Sequence, residues 1–195
     1  MWPWEHLAIA YVAVSLLARS GGRRVGGPEA VALAVGSQFP DLVDKPLAWG
    51  LGALPSGTTL AHSVFVAVPV CLLAWQLGRR AGYGSLGVAF GLAYALHLPA
   101  DVLYGPLTVG GTLSLDPLLW PLVAKAGGSA GGGLLAEAWF YVERYRSFLA
   151  TPRALGYIAL ELSLLLSALA LWVSDGYPGV RLLTGRPTHQ PEEPR

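Results

Sequence analysis

Charge is scarce in this sequence: Asp, Glu, Lys and Arg make up 13% of its 195 residues, about half the share of an ordinary soluble domain. The formal net charge of +1 leaves no basic surplus, which argues against nucleic acid as a partner, since that grip depends on neutralising phosphates. Cysteine is scarcer still. With Cys71 alone, no intrachain disulfide and no paired CxxC zinc ribbon can form, so any metal site must draw on His and carboxylate ligands. Cys71 itself stands in an apolar run, residues 70–75, and reads as a packing residue. No basic residue precedes the first apolar stretch, and Glu5 and His6 stand where a signal peptide would carry positive charge. That stretch therefore reads as a retained membrane helix.

What is abundant is apolar surface, with 53% hydrophobic residues and a mean hydropathy of +0.49. Residues 4–19, 60–78, 85–104 and 154–174 are each predicted to span a membrane, a span needing about 20 residues at 1.5 Å rise. A fifth apolar stretch, residues 29–39, is too short to cross and sits between Pro28 and Pro40, so it reads as a half-span. The expected fold class is an all-α polytopic integral membrane helical bundle of about four spans plus one half-span. Residues 1–175 would form the embedded domain and residues 176–195 a mobile polar tail. The expected location is the cell membrane, as a multi-pass protein with membrane lipids as partners. The sequence names no protein partner.

Arg19, Arg23 and Arg24 follow the first stretch, and Arg79 and Arg80 separate the second from the third. Both loops are expected to be cytoplasmic. Residues 136–148 mix aromatic and charged positions, as an interfacial helix would. Arg residues flank the last span on both sides and leave its direction open. Gly87, Gly91 and Ala95 at four-residue spacing predict close helix packing.

Ionisable groups in or beside apolar helices are costly and are functional candidates by default. His6, His62 and His97 qualify, whereas His189 falls in the polar tail. His97 and Asp101 are four apart and share a helix face. They could ligate one divalent ion, or Asp101 could simply orient His97. Asp41 could be a ligand or a helix cap, and Asp44 stands three residues on. Glu161, inside the last span, could pair with a basic group or face a cavity. The Arg-based topology brings His6, Asp41, His62, His97 and Asp101 to one membrane face.

The order Glu5-His6, then Phe39-Pro40-Asp41-Leu42-Val43-Asp44, Ala61-His62-Ser63, His97-Leu98-Pro99-Ala100-Asp101 and Leu118-Leu119-Trp120-Pro121 resembles the membrane-bound metal-dependent hydrolase family, also described as LexA-binding, inner-membrane-associated hydrolases. More distantly it is similar to zinc-dependent phospholipase C. The resemblance covers roughly residues 1–125 and implies His6, Asp41, His62, His97 and Asp101 as metal ligands, with Asp44 a further one. It departs at Gly57 and Thr58, where the family pattern has His and Arg, and no second HxxxE follows, so one or two metals are implied rather than three. The expectation is an enzyme in which a divalent metal, zinc before manganese, activates water against an ester, a phosphoester of a lipid or other interface-borne substrate above all. Asp44 would be the catalytic base or a further ligand. The alternatives are a metal or proton transporter, or a degenerate metal site serving stability or partner binding.

Overall fold

Helix starts follow from local chemistry. Pro3 opens α1 (Pro3–Ser20), where its missing N–H costs nothing, and the Glu5 carboxylate turns back to accept from the Trp2 amide at 2.6 Å. Glu29 does the same for α2 (Gly27–Lys45), accepting from the Gly26 amide at 2.9 Å. Ser63 Oγ accepts from the Phe65 amide at 3.2 Å and starts α3 (Val64–Arg80). Then come α4 (Gly84–Val109), α5 (Leu134–Leu149) and α6 (Arg153–Ser174), with a π-helical turn at Pro46–Gly50 and a 3-10 turn at Asp116–Leu119. The structure, a computed structural model, describes residues 1–110, 112–124 and 132–180, and every regular element among them is helical. His189 and the tail expected from 176 lie outside the described residues from 181 onward.

Among the described residues two helices, not four, are long and apolar enough to cross a membrane: residues Gly84–Thr108 of α4, and α6. The first stretch is helical but carries Glu5, His6 and Arg19 within its 18 residues, which dilutes its apolar character. The second loses its first turn, because residues 60–63 belong to a loop, and α3 is left with 17 residues. The half-span is also corrected. α2 runs through Pro40 to Lys45, about 28 Å at 1.5 Å per residue. Proline removes one helical hydrogen bond, and the stripe Leu33, Gly36, Ser37, Pro40, Asp41 and Asp44, buried at three- and four-residue spacing, keeps the helix going against that cost.

The central element is α4, which packs on α1, α2, α3 and α6. Ala89 and Ala93 join Ala10, Tyr11, Val14 and Ala18 of α1 with Val25 and Leu33. Tyr94 and Leu98 join Ala67 of α3. Two crossings require glycine: a Cβ at Gly36 would collide with the Phe90 carbonyl, and one at Gly87 would collide with the Ala74 carbonyl. Gly91, by contrast, has ordinary clearance from Cys71.

The direction of α6 is settled by a polar clamp. Asp175, just past its C-terminus, accepts from Arg19 at 2.6 Å, Ser15 at 2.7 Å and Tyr11 at 2.9 Å. At the other end, Tyr157 bonds Glu5. The helix therefore runs alongside α1 and ends beside Arg19. Glu161 meets neither a base nor the cavity, since its oxygens accept from Trp4 Nε1 at 2.7 Å and the Tyr145 hydroxyl at 3.2 Å.

The Arg-rich end should face the cytoplasm. In a Cys71→Ser background, Leu51→Cys, whose parent residue is 76% exposed, is expected to react with an impermeant thiol reagent in intact cells. Gly21→Cys should react only after permeabilisation, and the reverse pattern would overturn this orientation.

Candidate metal centre

The buried stripe of α2 delivers Asp41 and Asp44 to the end of the bundle opposite the arginine loops. Asp44 is fully buried, and a carboxylate there must be hydrogen-bonded to be tolerated. It accepts from the Thr59 amide at 2.7 Å, the Ala61 amide at 2.8 Å and the His62 amide at 3.3 Å, which wraps the loop before α3 around it. The same carboxylate takes the His62 Nδ1–H at 2.8 Å. His62 Nε2 is thereby aimed at Asp101 Oδ2, 3.2 Å away, and Asp41 Oδ1, 3.6 Å away.

His97 is oriented in the same manner. Its Nδ1–H donates to the Ser37 carbonyl at 2.7 Å, an acceptor that fixes the tautomer and leaves Nε2 as a free lone pair. That Nε2 lies 3.2 Å from His62 Nε2, 3.5 Å from Asp101 Oδ2 and 3.8 Å from Asp41 Oδ1. One ligand atom each from Asp41, His62, His97 and Asp101 falls within 4.8 Å of all the others, a group able to hold a metal ion. Ligands at 2.0–2.1 Å around a tetrahedral zinc stand about 3.3 Å apart, close to the separations found. Asp41 Oδ1 is buried without a hydrogen-bond donor, which is the state of an oxygen waiting for a cation. For His62, burial alone would depress the pKa, but hydrogen bonds to Asp101 and Asp44 and the nearby Asp41 charge overcome it and hold the pKa above the ordinary value. The same field that attracts a proton would attract a divalent ion.

Of the other expected ligands, His6 stands beside the four rather than among them. Its ring stacks on His97 with centroids 3.6 Å apart, its Nε2 lies 3.1 Å from Asp101 Oδ1, and its Nδ1 is buried without a partner. The amino group of Met1 also contacts Asp101 Oδ1. Asp44, expected as a base or further ligand, is placed behind His62 with both oxygens engaged.

Sequence reasoning missed Lys45, whose Nζ meets Asp41 Oδ2 at 2.5 Å and lies 5.6 Å over the Trp49 ring. The four-residue spacing from Asp41 was the available signal. It also missed Trp49, which stacks on Tyr141 with centroids 5.5 Å apart. A Cβ at Gly57 would come within 2.8 Å of the Trp49 indole, so this tryptophan closes the space where the family pattern would put a histidine. Above the four ligands lies a cavity of about 460 Å³, with His62 and Asp101 in its wall together with Lys45, Trp49, Thr58 and Tyr141.

Compared with known proteins, residues 1–177 match the family described as YdjM inner membrane protein. No curated protein and no solved structure matches the chain.

Because Asp44 holds both the loop and the His62 ring, Asp44→Ala is expected to weaken zinc binding about 10- to 100-fold, the usual cost of losing an outer-shell partner. Chelator competition on the purified protein measures it, and an unchanged affinity would contradict the positioning role.

Proposed function

Because the chain belongs to the YdjM inner membrane protein family, we propose that it is a membrane-embedded metal-dependent hydrolase of ester bonds, acting on a phosphoester of a lipid or another interface-borne substrate. The observation that carries this reading is the convergence of Asp41, His62, His97 and Asp101 on one point, at the wall of a cavity large enough for a small molecule. Two neutral imidazoles with two carboxylates favour zinc, with manganese the second choice. When bound, such an ion supplies the positive charge that polarises an ester oxygen and brings the ionisation of water near neutral pH.

The remaining work falls to the chain. His97 is pinned by Ser37 and His62 by Asp44, so both imidazoles present lone pairs without rotating. Asp44 is assigned here to positioning rather than to taking a proton, because its oxygens are spent on three amides and His62. Asp101 is shared, with Oδ2 toward His62 and His97 and Oδ1 toward His6. That division lets His6 hold the second oxygen of Asp101 from beside the four. Trp49 and Tyr141, stacked on each other, form part of the cavity wall beside His62 and Asp101.

Metal analysis of the detergent-purified full chain, together with an ester panel, tests the reading. Wild type should retain zinc or manganese, and His62→Ala and Asp101→Ala should lose it. Wild type should also hydrolyse at least one of a phosphomonoester, a phosphodiester, a phospholipid or a carboxyl ester, with a loss of 100-fold or more in His97→Ala. Equal metal in all three proteins would remove the site. Metal-replete protein inert on every class would remove the hydrolase and leave a structural metal, and metal flux across liposomes would favour a transporter.

A further inference from the structure

The cavity holds a combination that the four ligands do not explain. Its walls are largely apolar and aromatic, with Trp2, Tyr104, Val142 and Phe148 contributing, yet two cations line it, Lys45 from α2 and Arg144 from α5. Lys45 is paired with Asp41, whereas Arg144 forms no ion pair among the described residues. Thr58, on the loop, adds no charge. Arg144 is exposed yet lines the cavity beside Tyr145 and Phe148, and its fork of donors matches phosphate oxygens. The volume of about 460 Å³ sits in the range of small-molecule sites, roughly 300 to 1,000 Å³.

We propose that the cavity takes an amphiphile with a phosphate-type anionic head and a hydrocarbon chain, Arg144 and Lys45 flanking the head and the chain lying against Trp2, Tyr104, Val142 and Phe148. This rests on the hydrolase reading for its consequence, since it names that site's substrate class, but binding can be measured without turnover. Arg144 acts as a specificity-determining residue that selects the anionic head. Hydrocarbon length sets affinity because each methylene buried leaves water.

The test uses full-length protein in nanodiscs of zwitterionic lipid, with and without added zinc. The ligands are butyl-, hexyl- and octylphosphonate, whose C–P bond resists hydrolysis, alongside inorganic phosphate and 1-octanol. Calorimetry should show affinity rising on the order of tenfold for each two methylenes added, with inorganic phosphate and octanol each weaker than octylphosphonate. Arg144→Gln should weaken octylphosphonate at least tenfold and leave octanol unchanged, and Arg144→Lys should recover part of the loss. Inorganic phosphate binding as tightly as octylphosphonate would overturn the amphiphile in favour of a free anion. Unchanged octylphosphonate affinity in Arg144→Gln would overturn the role of Arg144, and no phosphonate binding by wild type would overturn the proposal while leaving hydrolysis of other esters open. Chain-dependent binding without hydrolysis of any ester would sink the hydrolase reading instead and leave the ligand class standing.

Discussion

A carboxylate without solvent has to be surrounded by donors, and at Asp44 that requirement organises everything near it. The group is fully buried, and a buried charge left unpaired costs several kcal/mol. Three backbone amides from residues 59, 61 and 62 and the His62 ring provide the donors. Meeting this demand bends the chain before α3 into a loop instead of another helical turn, turns His62 inward and delivers its Nε2 to Asp41 and Asp101. The loop and the candidate metal group are thus two consequences of one interaction.

The rest of the bundle holds that arrangement at a fixed distance. α4 carries His97 and Asp101 one turn apart and is gripped by α2 and α3 at crossings where Gly36 and Gly87 let backbones touch. At the far end, Asp175 ties α6 to Arg19, Ser15 and Tyr11, and near the site Tyr157 ties the same helix to Glu5, the neighbour of His6. Polar groups therefore fasten α1 and α6 at both ends, while the apolar flanks, such as Leu16, Leu17, Leu162 and Leu166, stay outward. That pattern suits a membrane location, which family membership and the two long apolar helices support.

Much of this was legible because membrane helices write their constraints plainly. The helical class followed from hydropathy, and His97 and Asp101 could be paired because four residues make about one turn. The Arg loops gathered at one end and the site residues at the other, as the chain's alternation requires. Less legible were features decided by tertiary demand. Pro40 reads as a stop, yet the buried stripe carries α2 past it. Residues 60–63 read as helix, yet Asp44 needs their amides. The direction of α6 depended on Asp175, a residue with no local signal, and Glu161 found Trp4 and Tyr145 as donors where a basic group or the cavity was expected. The resemblance implied Asp44 as a base or a further ligand, and only the loop's path reveals that its oxygens hold three amides and the His62 ring.

The central claim is that two imidazoles and two carboxylates from α2, the loop before α3, and α4 share one ion. X-ray absorption at the zinc edge of full-length protein loaded with one equivalent of zinc addresses it directly. The account expects a first shell of nitrogen and oxygen alone at about 2.0–2.2 Å, with outer-shell scattering from two imidazoles that diminishes in His97→Ala. A shell containing sulfur at about 2.3 Å, or one without imidazole scattering, would contradict it.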